Sequence, residues 1–594
     1  MAVNYKAPIK DILFAFDVLD SYEKLNNIDT FKDFNIDIAI PAIEECSKFA
    51  EEVLAPINAD GDKHGAKFNN GVVNMPPGFI EAYEKFKNAG WASISLPSEI
   101  GGGGMPYLLS GGVLEILCTA NMAFVLGPGL SIGAISGINE HASQEQKDKY
   151  LPNLVSGDWT GTMNLSEPQS GSDLNHLTTK AEPQDDGTYK ITGTKIWIGS
   201  GEHDLSDNIV HLVLAKVPGS PEGTKGISMF IVPKYIVNDD SSLGDRNNVN
   251  CISIEEKLGI HGSPTCVMDY DGAVGYLVGE ENRGLNYMFT TINEARIRAG
   301  GHGLSCTMGA LQGAAQYARD RVQGRPVGMS KEDAKNSTII DHADVRRMLM
   351  TIKAYSDAMR YMMYDNQMML DFFYFGNDEQ KNYGEARCGL LTPVSKSWIS
   401  DLSVELTSMA IQIYGGMGYV EETGVAQYFR DARIAPIYAG TNGIQALDLT
   451  LKKIHLDEGK AVNNLFDEMI SVSNELKNSE SLSKINESYE FHIKNLIEST
   501  EKVRKLLIND NQKSISGLAS PYTKMFGQVL GGYYMAKAAI HADKKYKETE
   551  DEFYKDKITL SKFYIEQLLP LSENNIPAID SEVDDLFLIK SEDF

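Results

Sequence analysis

The spacing of apolar residues divides the chain into segments that predict different secondary structures. From residue 36 to about residue 157, apolar residues recur every three or four positions, as in IDIAIPAIEECSKFAEEVLAPIN and SGGVLEILCTANMAFVL, which predicts amphipathic helices. Between these two segments, Pro97 and the run Gly101–Gly104 predict a loop. Residues 1–35 are predicted to form a short amphipathic leader ahead of the first domain.

The pattern changes at Trp159. The segments TYKITGTKIWIG, NIVHLVLAKV, KGISMFIVPK and CVMDYDGAVGYLVG are short, rich in β-branched residues and separated by turn residues such as Asp186-Gly187. They predict antiparallel strands that form a small barrel or sandwich. From Gly284 the helical period returns, first to about His455 and then through residues 460–594.

This order of segments predicts an α+β multidomain protein. A chain of 594 residues exceeds one ordinary hydrophobic core, which also favours several domains. The predicted segments are the leader (1–35), an N-terminal helical domain (36–158), a central antiparallel β-barrel domain (159–283), a helical bundle domain (284–458) and an additional C-terminal helical domain (459–594).

The composition excludes several classes of partner. With 42% hydrophobic and 9% aromatic residues, the chain is typical of a soluble globular protein. The net charge of −27 argues against nucleic acid or an anionic membrane as a partner, since both are polyanions. We expect no membrane helix, which needs roughly 20 apolar residues, and no secretory signal. The six cysteines are scattered, which predicts no metal site and reduced thiols in the cytoplasm.

Two polar segments that contain glycine are candidates for ligand binding. The first, MNLSEPQSGSDL, offers backbone N–H groups and hydroxyls to an anionic or carbonyl-rich ligand, although a loop of this composition is more often an ordinary connection. The second, GGMG, contains Gly415, Gly416 and Gly418, which permit positive φ and close approach of the backbone to a phosphate or ribose. By itself such a glycine cluster is weak evidence.

Taken together, the two segments resemble the two signatures of the acyl-CoA dehydrogenase family, and they occur in the family's α-β-α order. The residues that match the signatures are Ser166-Glu167-Pro168, Gly171-Ser172-Asp173, Gly418-Tyr419, Glu422 and Arg430-Asp431. The resemblance implies FAD as the cofactor. It also implies α,β-dehydrogenation of an acyl-CoA thioester, with electron-transfer flavoprotein as the electron acceptor.

The resemblance also assigns roles to individual residues. Trp197 stands where the family sets an aromatic residue against the flavin, whereas Gly199 replaces a residue that often carries a hydroxyl. Arg321 and Gln323 match residues that reach the FAD of a neighbouring subunit, which implies a homodimer. The residues implied to bind the cofactor are Met163, Leu165, Ser166, Gly171, Ser172, Trp197, Ile198, Gly199, Arg321, Gln323, Gln412, Gly415, Gly416 and Thr441, and those implied to bind substrate are Ser172, Arg296, Tyr438 and Ala439.

The position of the catalytic base departs from the family. Where the family has Tyr-Glu-Gly-Thr, this chain has Tyr438-Ala439-Gly440-Thr441, and the glutamate is the base that removes the α proton. Alanine cannot accept a proton, so we expect turnover to fall by about 10²–10⁴-fold while ligand binding persists. Some branches place the base on the preceding helix, but that position is Ala295. Glu294 is turned about 100° away on a helix, which favours a surface or packing carboxylate.

Two explanations of Ala439 stay open at this point: an engineered substitution that traps a substrate complex, or a natural flavoprotein that binds acyl-CoA without oxidising it. The added C-terminal segment and the sequences NEARIRAGGHGLS, RVQGRP and GEHD resemble the larger bacterial branch that contains 3-methylthiopropanoyl-CoA dehydrogenases of dimethylsulfoniopropionate demethylation. General short- or medium-chain acyl-CoA oxidation is the alternative. DNA-binding alkylation-response flavoproteins share this layout but need a basic extension, whereas this chain ends in an acidic tail.

Overall fold

The computed structural model describes residues 3–594, except for the side chains of Thr290 and Asn293. The chain forms two compact units. The helical unit comprises Met1–Ser47, Leu114–Thr119 and Arg296–Phe594, and the sheet unit comprises Lys48–Val113 and Ala120–Ala295. Each unit combines parts of several predicted segments, and the predicted domain boundaries remain predictions.

Helices make up most of the helical unit, and the sheet unit contains helices as well as strands. The helices are α1 (Ile9–Val18), α2 (Ser21–Asn26), α3 (Ile36–Phe49), α4 (Asn58–His64), α5 (Phe79–Asn88), α6 (Tyr107–His141), α7 (Gln144–Ser156), α8 (Gly284–Asp320), α9 (Ala343–Phe375), α10 (Asp378–Tyr414), α11 (Val425–Ala432), α12 (Asn442–Leu451), α13 (Lys460–Asn478), α14 (Ser483–Ile508), α15 (Gln512–Thr549), α16 (Glu552–Phe563) and α17 (Ile576–Asp580). Local sequence sets their ends. At the start of α7, the Ser143 hydroxyl accepts from the N–H of Gln146 (3.2 Å) and the Gln146 side chain accepts in return, while Gly157 ends the helix at φ +82°.

The strands are β1 (Lys67–Asn69), β2 (Val72–Asn74), β3 (Trp159–Asn164), β4 (Lys180–Pro183), β5 (Tyr189–Gly199), β6 (Asn208–Lys216), β7 (Ile227–Pro233), β8 (Tyr235–Val237), β9 (Leu243–Arg246), β10 (Val249–Ile254) and β11 (Thr265–Leu277). Seven of them form one sheet in the order β10-β11-β5-β4-β6-β3, and β7 pairs with both β11 and β6.

The predicted antiparallel barrel is not confirmed, because this sheet is mixed. Strand β3 runs parallel to β6 with Trp159 opposite Asn208, and β4 runs parallel to β6 at Lys180 and Lys216. An apolar pattern identifies a strand but does not encode the direction of its partner, which depends on where the chain returns to the sheet.

Strand β6 pairs with β3, β4 and β7 and is buried on both faces. Leu212 and Leu214 belong to a core that includes Ile135 of α6 and Leu151 of α7. Their neighbours on the strand face a second core, which contains Val213 and residues of β5, β7, β10 and β11. Because both faces are covered, the sequence of β6 is almost continuously apolar instead of alternating.

The predicted leader is an integral part of the helical unit. Phe14 and Phe16 of α1 are buried. The ring of Phe14 packs edge-on against Phe553 of α16 at 5.6 Å between centroids, and against Tyr361 of α9 at 6.3 Å. Aromatic pairs in this geometry contribute about 0.5–1.5 kcal/mol beyond the burial of their area. The two ends of the chain therefore share one hydrophobic core.

Charged side chains buried in the helical unit join the same three helices. Lys557 of α16 contacts Asp11 of α1, and its Nζ lies 2.7 Å from the carboxylate of Asp357 on α9. Asp357 also pairs with Arg360 at 2.9 Å, and Arg360 contacts Glu115 at 2.6 Å. Burial alone lowers the pKa of Lys557, but the carboxylates of Asp11 and Asp357 raise it above its ordinary value. The amine therefore stays charged in the interior.

Helix α6 corrects the expectation that no segment could span a membrane. Its best 18-residue window has a mean hydropathy of 1.6, and by length and composition it is the one helix of residues 3–594 that could cross a membrane. In the structure, 89% of that window is buried inside the protein. A helix that is apolar on all sides is typical of the centre of a large core as well as of a membrane span.

Replacing Lys557, whose amine is buried, tests whether this residue stabilises the contact between α1 and α16. We expect Lys557→Met to lower the free energy of unfolding by about 3–5 kcal/mol, because Asp11 and Asp357 would be left as buried carboxylates without their lysine. Urea unfolding followed by circular dichroism measures the change. Lys555→Met on the same helix is the matched control, since Lys555 pairs with Glu552 in solvent, and it should leave the midpoint unchanged. Equal effects of the two substitutions would contradict the prediction.

Candidate functional site

A buried ion pair anchors the first candidate loop in the sheet unit. Glu167 of the Ser166-Glu167-Pro168 motif accepts from Nζ of Lys195 on β5 at 2.9 Å. The same carboxylate accepts from the hydroxyl of Thr179 at 2.5 Å and from the backbone N–H of Thr178 at 2.8 Å. Glu167 thus fixes the loop to the strand that carries Trp197, and the sequence motif has a structural role of its own.

The pKa values of the pair reflect burial and mutual attraction. Burial alone raises the pKa of Glu167, but the attraction of Lys195 and the hydrogen bonds from Thr179 and Thr178 lower it to about 2. At Lys195 burial is the larger effect and lowers the pKa to about 8, against the attraction of Glu167. Both groups are therefore mainly charged at neutral pH, and the ion pair is intact there.

Trp197 is an exposed aromatic residue in a strained conformation. Its φ is +63°, and its side chain is 60% exposed. The strain coincides with a bulge in β5, because Lys195 and Ile198 pair with Met268 and Cys266 and leave one extra residue between them on β5. The N–H of Ile196 donates to the carbonyl of Ser166 at 3.0 Å and ties this bulge to the loop. Strain of this kind is concentrated at ligand sites.

The other predicted cofactor residues of the sheet unit differ in exposure. Gly171 and Ser172 are exposed, and no atom lies within 4 Å of a Cβ built on Gly171. Met163 and Leu165 are half-buried against the core of α6, β6 and β7. The side chain of Ile198 is buried in the second core, so only its backbone can face a ligand. An open loop beside an exposed indole fits a large cofactor with a planar ring.

The second group of predicted cofactor residues lies at one end of the helical unit. Tyr317 of α8 stacks on Tyr414 of α10 with ring centroids 4.3 Å apart, which brings the ends of the two helices together. Arg321 and Gln323 follow this contact on one chain segment, and Gln412, Gly415 and Gly416 flank it on the other; all five are exposed. Gly415 has φ +60°, and space is open around both glycines. Exposed guanidinium and glycine backbone fit the phosphate groups of FAD.

Ala439 lies in a turn of unusual backbone geometry in the helical unit. Ala439 has φ +55° and Gly440 has φ +82°, two consecutive residues in the left-handed region. Among the described residues, none accepts a hydrogen bond from the N–H of Ala439. Thr441 caps the helix that follows, and its hydroxyl accepts from the N–H of Ile444 at 3.4 Å. The turn therefore presents a fixed backbone donor beside a methyl side chain.

Tyr438 is held by a histidine that the sequence did not single out. The Tyr438 hydroxyl forms a hydrogen bond with Nδ1 of His302 on α8. Burial, with a smaller effect of Arg298, lowers the pKa of His302 to about 3, so its ring is neutral at pH 7 and Nδ1 can accept. Burial also raises the pKa of Tyr438 well above its ordinary value. The pair is neutral and fixes the side of the turn that precedes Ala439.

Helix α8 positions two further residues. Arg296 lies 3.9 Å from the carboxylate of Asp448 on α12, and its guanidinium lies 3.9 Å from the position of a Cβ on Gly440. The predicted substrate residues Arg296, Tyr438 and Ala439 therefore converge. Glu294 is only 3% exposed and accepts from the Tyr107 hydroxyl at 3.4 Å, so its surface alternative is wrong and its packing alternative stands.

Removing the buried lysine tests the anchor of the first loop. We expect Lys195→Met to leave Glu167 as a buried carboxylate without its cation, and to lower retention of FAD at least tenfold because the loop separates from Trp197. Flavin absorbance after gel filtration, at equal protein concentration, measures the change. Lys190→Met is the matched control, since Lys190 lies on the same strand but is exposed. Equal flavin retention in the two variants would exclude this role.

Comparison with family models matches nearly the whole chain. Residues 42–158 match the acyl-CoA dehydrogenase N-terminal domain, 162–273 match the middle domain, and 282–451 match the C-terminal domain. Residues 465–589 match a further model, described as acetyl-CoA dehydrogenase C-terminal like. The extra C-terminal segment is thus a recognised domain of these proteins.

Named relatives support the same family. The chain is 39% identical over 576 residues to a 3-methylmercaptopropionyl-CoA dehydrogenase of Ruegeria pomeroyi, covering 96% of each chain. It is 32% identical to a butyryl-CoA dehydrogenase of Syntrophomonas wolfei, covering 96% of this chain and 95% of the relative. A solved acyl-CoA dehydrogenase from Bacillus anthracis, complexed with FAD, has the same fold with a TM-score of 0.73 at 21% identity and covers 94% of this chain and 91% of its own. The chain belongs to the acyl-CoA dehydrogenase family, whose members bind FAD and are oxidoreductases that act on CH–CH bonds.

Proposed function

We propose that this chain binds a short acyl-CoA thioester, and that the chemistry of its site is α,β-dehydrogenation from which the proton acceptor is missing. The observation that carries the proposal is the left-handed turn at Ala439, which retains a backbone donor for the thioester carbonyl and lacks a side chain that could take the α proton. Bound FAD supplies the electron acceptor for the oxidation. Proton removal has to come from a protein group.

The residues around Ala439 account for binding without turnover. The N–H of Ala439 can donate to the thioester oxygen, where negative charge develops as the α proton leaves. Tyr438 and His302 hold the turn, and the guanidinium of Arg296, which also pairs with Asp448, lies beside the turn and is assigned to the ester end of the ligand. A general base contributes typically 10²–10⁴-fold to such a reaction, and alanine contributes none of it. We expect FAD and acyl-CoA to bind while oxidation is slowed by at least this factor.

We assign 3-methylthiopropanoyl-CoA as the ligand, with methylthioacryloyl-CoA as the oxidised product in dimethylsulfoniopropionate demethylation. The support is the 39% identity to the dehydrogenase of that name along 96% of both chains. General short- and medium-chain oxidation remains the second candidate, since a butyryl-CoA dehydrogenase matches over a similar length. The proposal extends to a cytoplasmic homodimer that passes electrons to electron-transfer flavoprotein.

The two possible origins of Ala439 predict different states for the rest of the site. If the alanine was engineered to trap substrate, the rest of the site should support rapid turnover once a carboxylate is restored. If the chain is a natural non-catalytic binder, other parts of the site would have changed as well. The intact signatures, including the Glu167 anchor and the glycines at Gly415 and Gly416, favour the substrate trap.

Restoring the carboxylate tests the proposed chemistry. We expect Ala439→Glu to raise kcat for acyl-CoA oxidation by at least 10²-fold, because the glutamate can take the α proton. Reduction of an artificial electron acceptor measures the rate. Ala439→Gln is the matched control, since it has nearly the same size and no proton-accepting carboxylate. Equal inactivity of the two variants, with FAD and ligand bound, would support the non-catalytic binder instead.

The Ala439→Glu protein also tests the choice of substrate in the same assay. We expect 3-methylthiopropanoyl-CoA to be oxidised with a kcat/KM at least equal to that of butyryl-CoA. A clear preference for butyryl-CoA would leave the reaction class intact and overturn the narrower assignment.

The proposed homodimer has a separate test. The C-terminal domain is expected to cover surface that smaller relatives use to pair dimers into tetramers. Light scattering of the flavin-loaded protein should therefore give an absolute mass equal to two chains. A mass equal to four chains would contradict the proposed dimer, and a mass equal to one chain would contradict a shared cofactor site.

A further inference from the structure

We infer that Asn442 and Lys396 are positioning residues that hold the N–H of Ala439 toward the thioester carbonyl. The inference rests on the proposed function in one respect only, namely the identity of the group that receives this hydrogen bond. The contacts that hold the turn are present in the protein without ligand.

Contacts from outside the turn must stabilise it, because its backbone is strained. A left-handed conformation costs an ordinary L-residue roughly 1–2 kcal/mol, and the methyl side chain of Ala439 cannot form a hydrogen bond that would offset this cost. Such a conformation persists only where the surrounding structure fixes it. On the side that precedes Ala439, the hydrogen bond between Tyr438 and His302 does so. On the side that follows, the hold comes from the first residue of α12.

Asn442 joins the turn to α10 through its side chain. Its amide nitrogen donates to the carbonyl of Ser397 at 3.1 Å, to the hydroxyl of Ser400 at 3.0 Å and to the carboxylate of Asp401 at 2.7 Å. Its amide oxygen accepts from Nζ of Lys396 at 2.7 Å. Both ends of one amide are therefore satisfied on one neighbouring helix, which leaves its orientation little freedom.

The backbone of Asn442 closes the turn. Its N–H donates to the carbonyl of Pro436 at 3.1 Å and spans the strained residues between them. A Cβ on Gly440 would lie 2.8 Å from the amide nitrogen of Gln445, so the side chain of Gln445 packs closely against the turn on that side. A shift of α12 relative to α10 would therefore displace the N–H of Ala439.

Lys396 is an unusual group to find in this place. Its side chain is fully buried, and Asp401 and Arg296 are the charged groups that influence it. Burial lowers the pKa of Lys396 to about 7, against the attraction of Asp401 and with the repulsion of Arg296. A buried lysine is costly, and a methionine of similar volume would avoid the cost. The lysine has a function despite this cost, because its hydrogen bond holds the side chain of Asn442 in place.

The test compares variants of the protein that retains Ala439, in which slow turnover allows measurement at equilibrium. We expect Asn442→Ala to increase hydrogen exchange of the peptide that spans residues 434–445 at least tenfold in the flavin-loaded protein without ligand. Lys396→Met should have the same effect to a smaller degree. Asn366→Ala is the matched control, because Asn366 is also buried and also bonds to α10, through Thr392 and Ser395, but does not touch the turn.

A spectroscopic measurement then links the turn to the ligand. With carbonyl-labelled 3-methylthiopropanoyl-CoA bound, the infrared stretch of the thioester should shift toward its value in water in the Asn442→Ala and Lys396→Met proteins, and not in Asn366→Ala. In the Ala439→Glu background, Asn442→Ala should lower kcat about 10–100-fold with little change in KM, because the lost donor acts mainly in the transition state.

The outcomes separate the inference from the proposed function. If exchange in residues 434–445 is the same in Asn442→Ala and Asn366→Ala, the positioning role is overturned. If exchange increases but the labelled thioester does not bind, the hold on the turn stands and the proposed function fails. Should Asn442→Ala prove unstable, the comparison of Lys396→Met with Asn366→Ala decides in the same way.

Discussion

A backbone donor fixed in a left-handed turn is the constraint around which the candidate site of the helical unit is built. The turn at Ala439 and Gly440 is unfavourable on its own, and it exists because groups on α8, α10 and α12 hold both of its ends. None of these contacts involves the side chain of residue 439. Under the proposed function, the geometry that receives a thioester is therefore separable from the group that takes its proton.

In the sheet unit, buried polar groups likewise hold a strained residue in place. Trp197 is exposed and strained, and its position is fixed by the ion pair between Glu167 and Lys195, which is shielded from water. In both units we propose that a strained residue faces the ligand. The buried polar groups behind it supply the order. Such networks are favourable only when every member has a partner, which makes them sensitive to single substitutions.

Much of this organisation follows from the sequence. The change from helical to strand spacing near Trp159 and the return at Gly284 correspond to β3 and α8, and the signature motifs identified the family. The parallel pairing of β3 with β6 was not predictable, since alternation carries no information on direction. The apolar character of α6 was also missed, because local spacing suggests a surface helix until its burial is known.

The residues that hold the turn at Ala439 could likewise not be identified from the sequence. His302, Lys396 and Asn442 are ordinary residues at ordinary helical positions. The packing of α8 and α10 brings His302 and Lys396 to the turn, and it gives the side chain of Asn442 its partners. The signal that could have suggested Asn442 was its place directly after Thr441, at the start of a helix, where a polar side chain often satisfies local backbone groups. That expectation would have been wrong in detail, because Asn442 bonds to a neighbouring helix.

The shared core of α1 and α16 has a consequence for the way the chain is made. Proteins are synthesised from the N-terminus, and domains generally fold as units while synthesis continues. The sheet unit is complete once residue 295 has been added, whereas Phe14 and Asp11 wait for Phe553 and Lys557, which are translated much later. While the residues between them are synthesised, the first helix therefore has an uncovered aromatic face, and the helical unit can close only after α16 has left the ribosome.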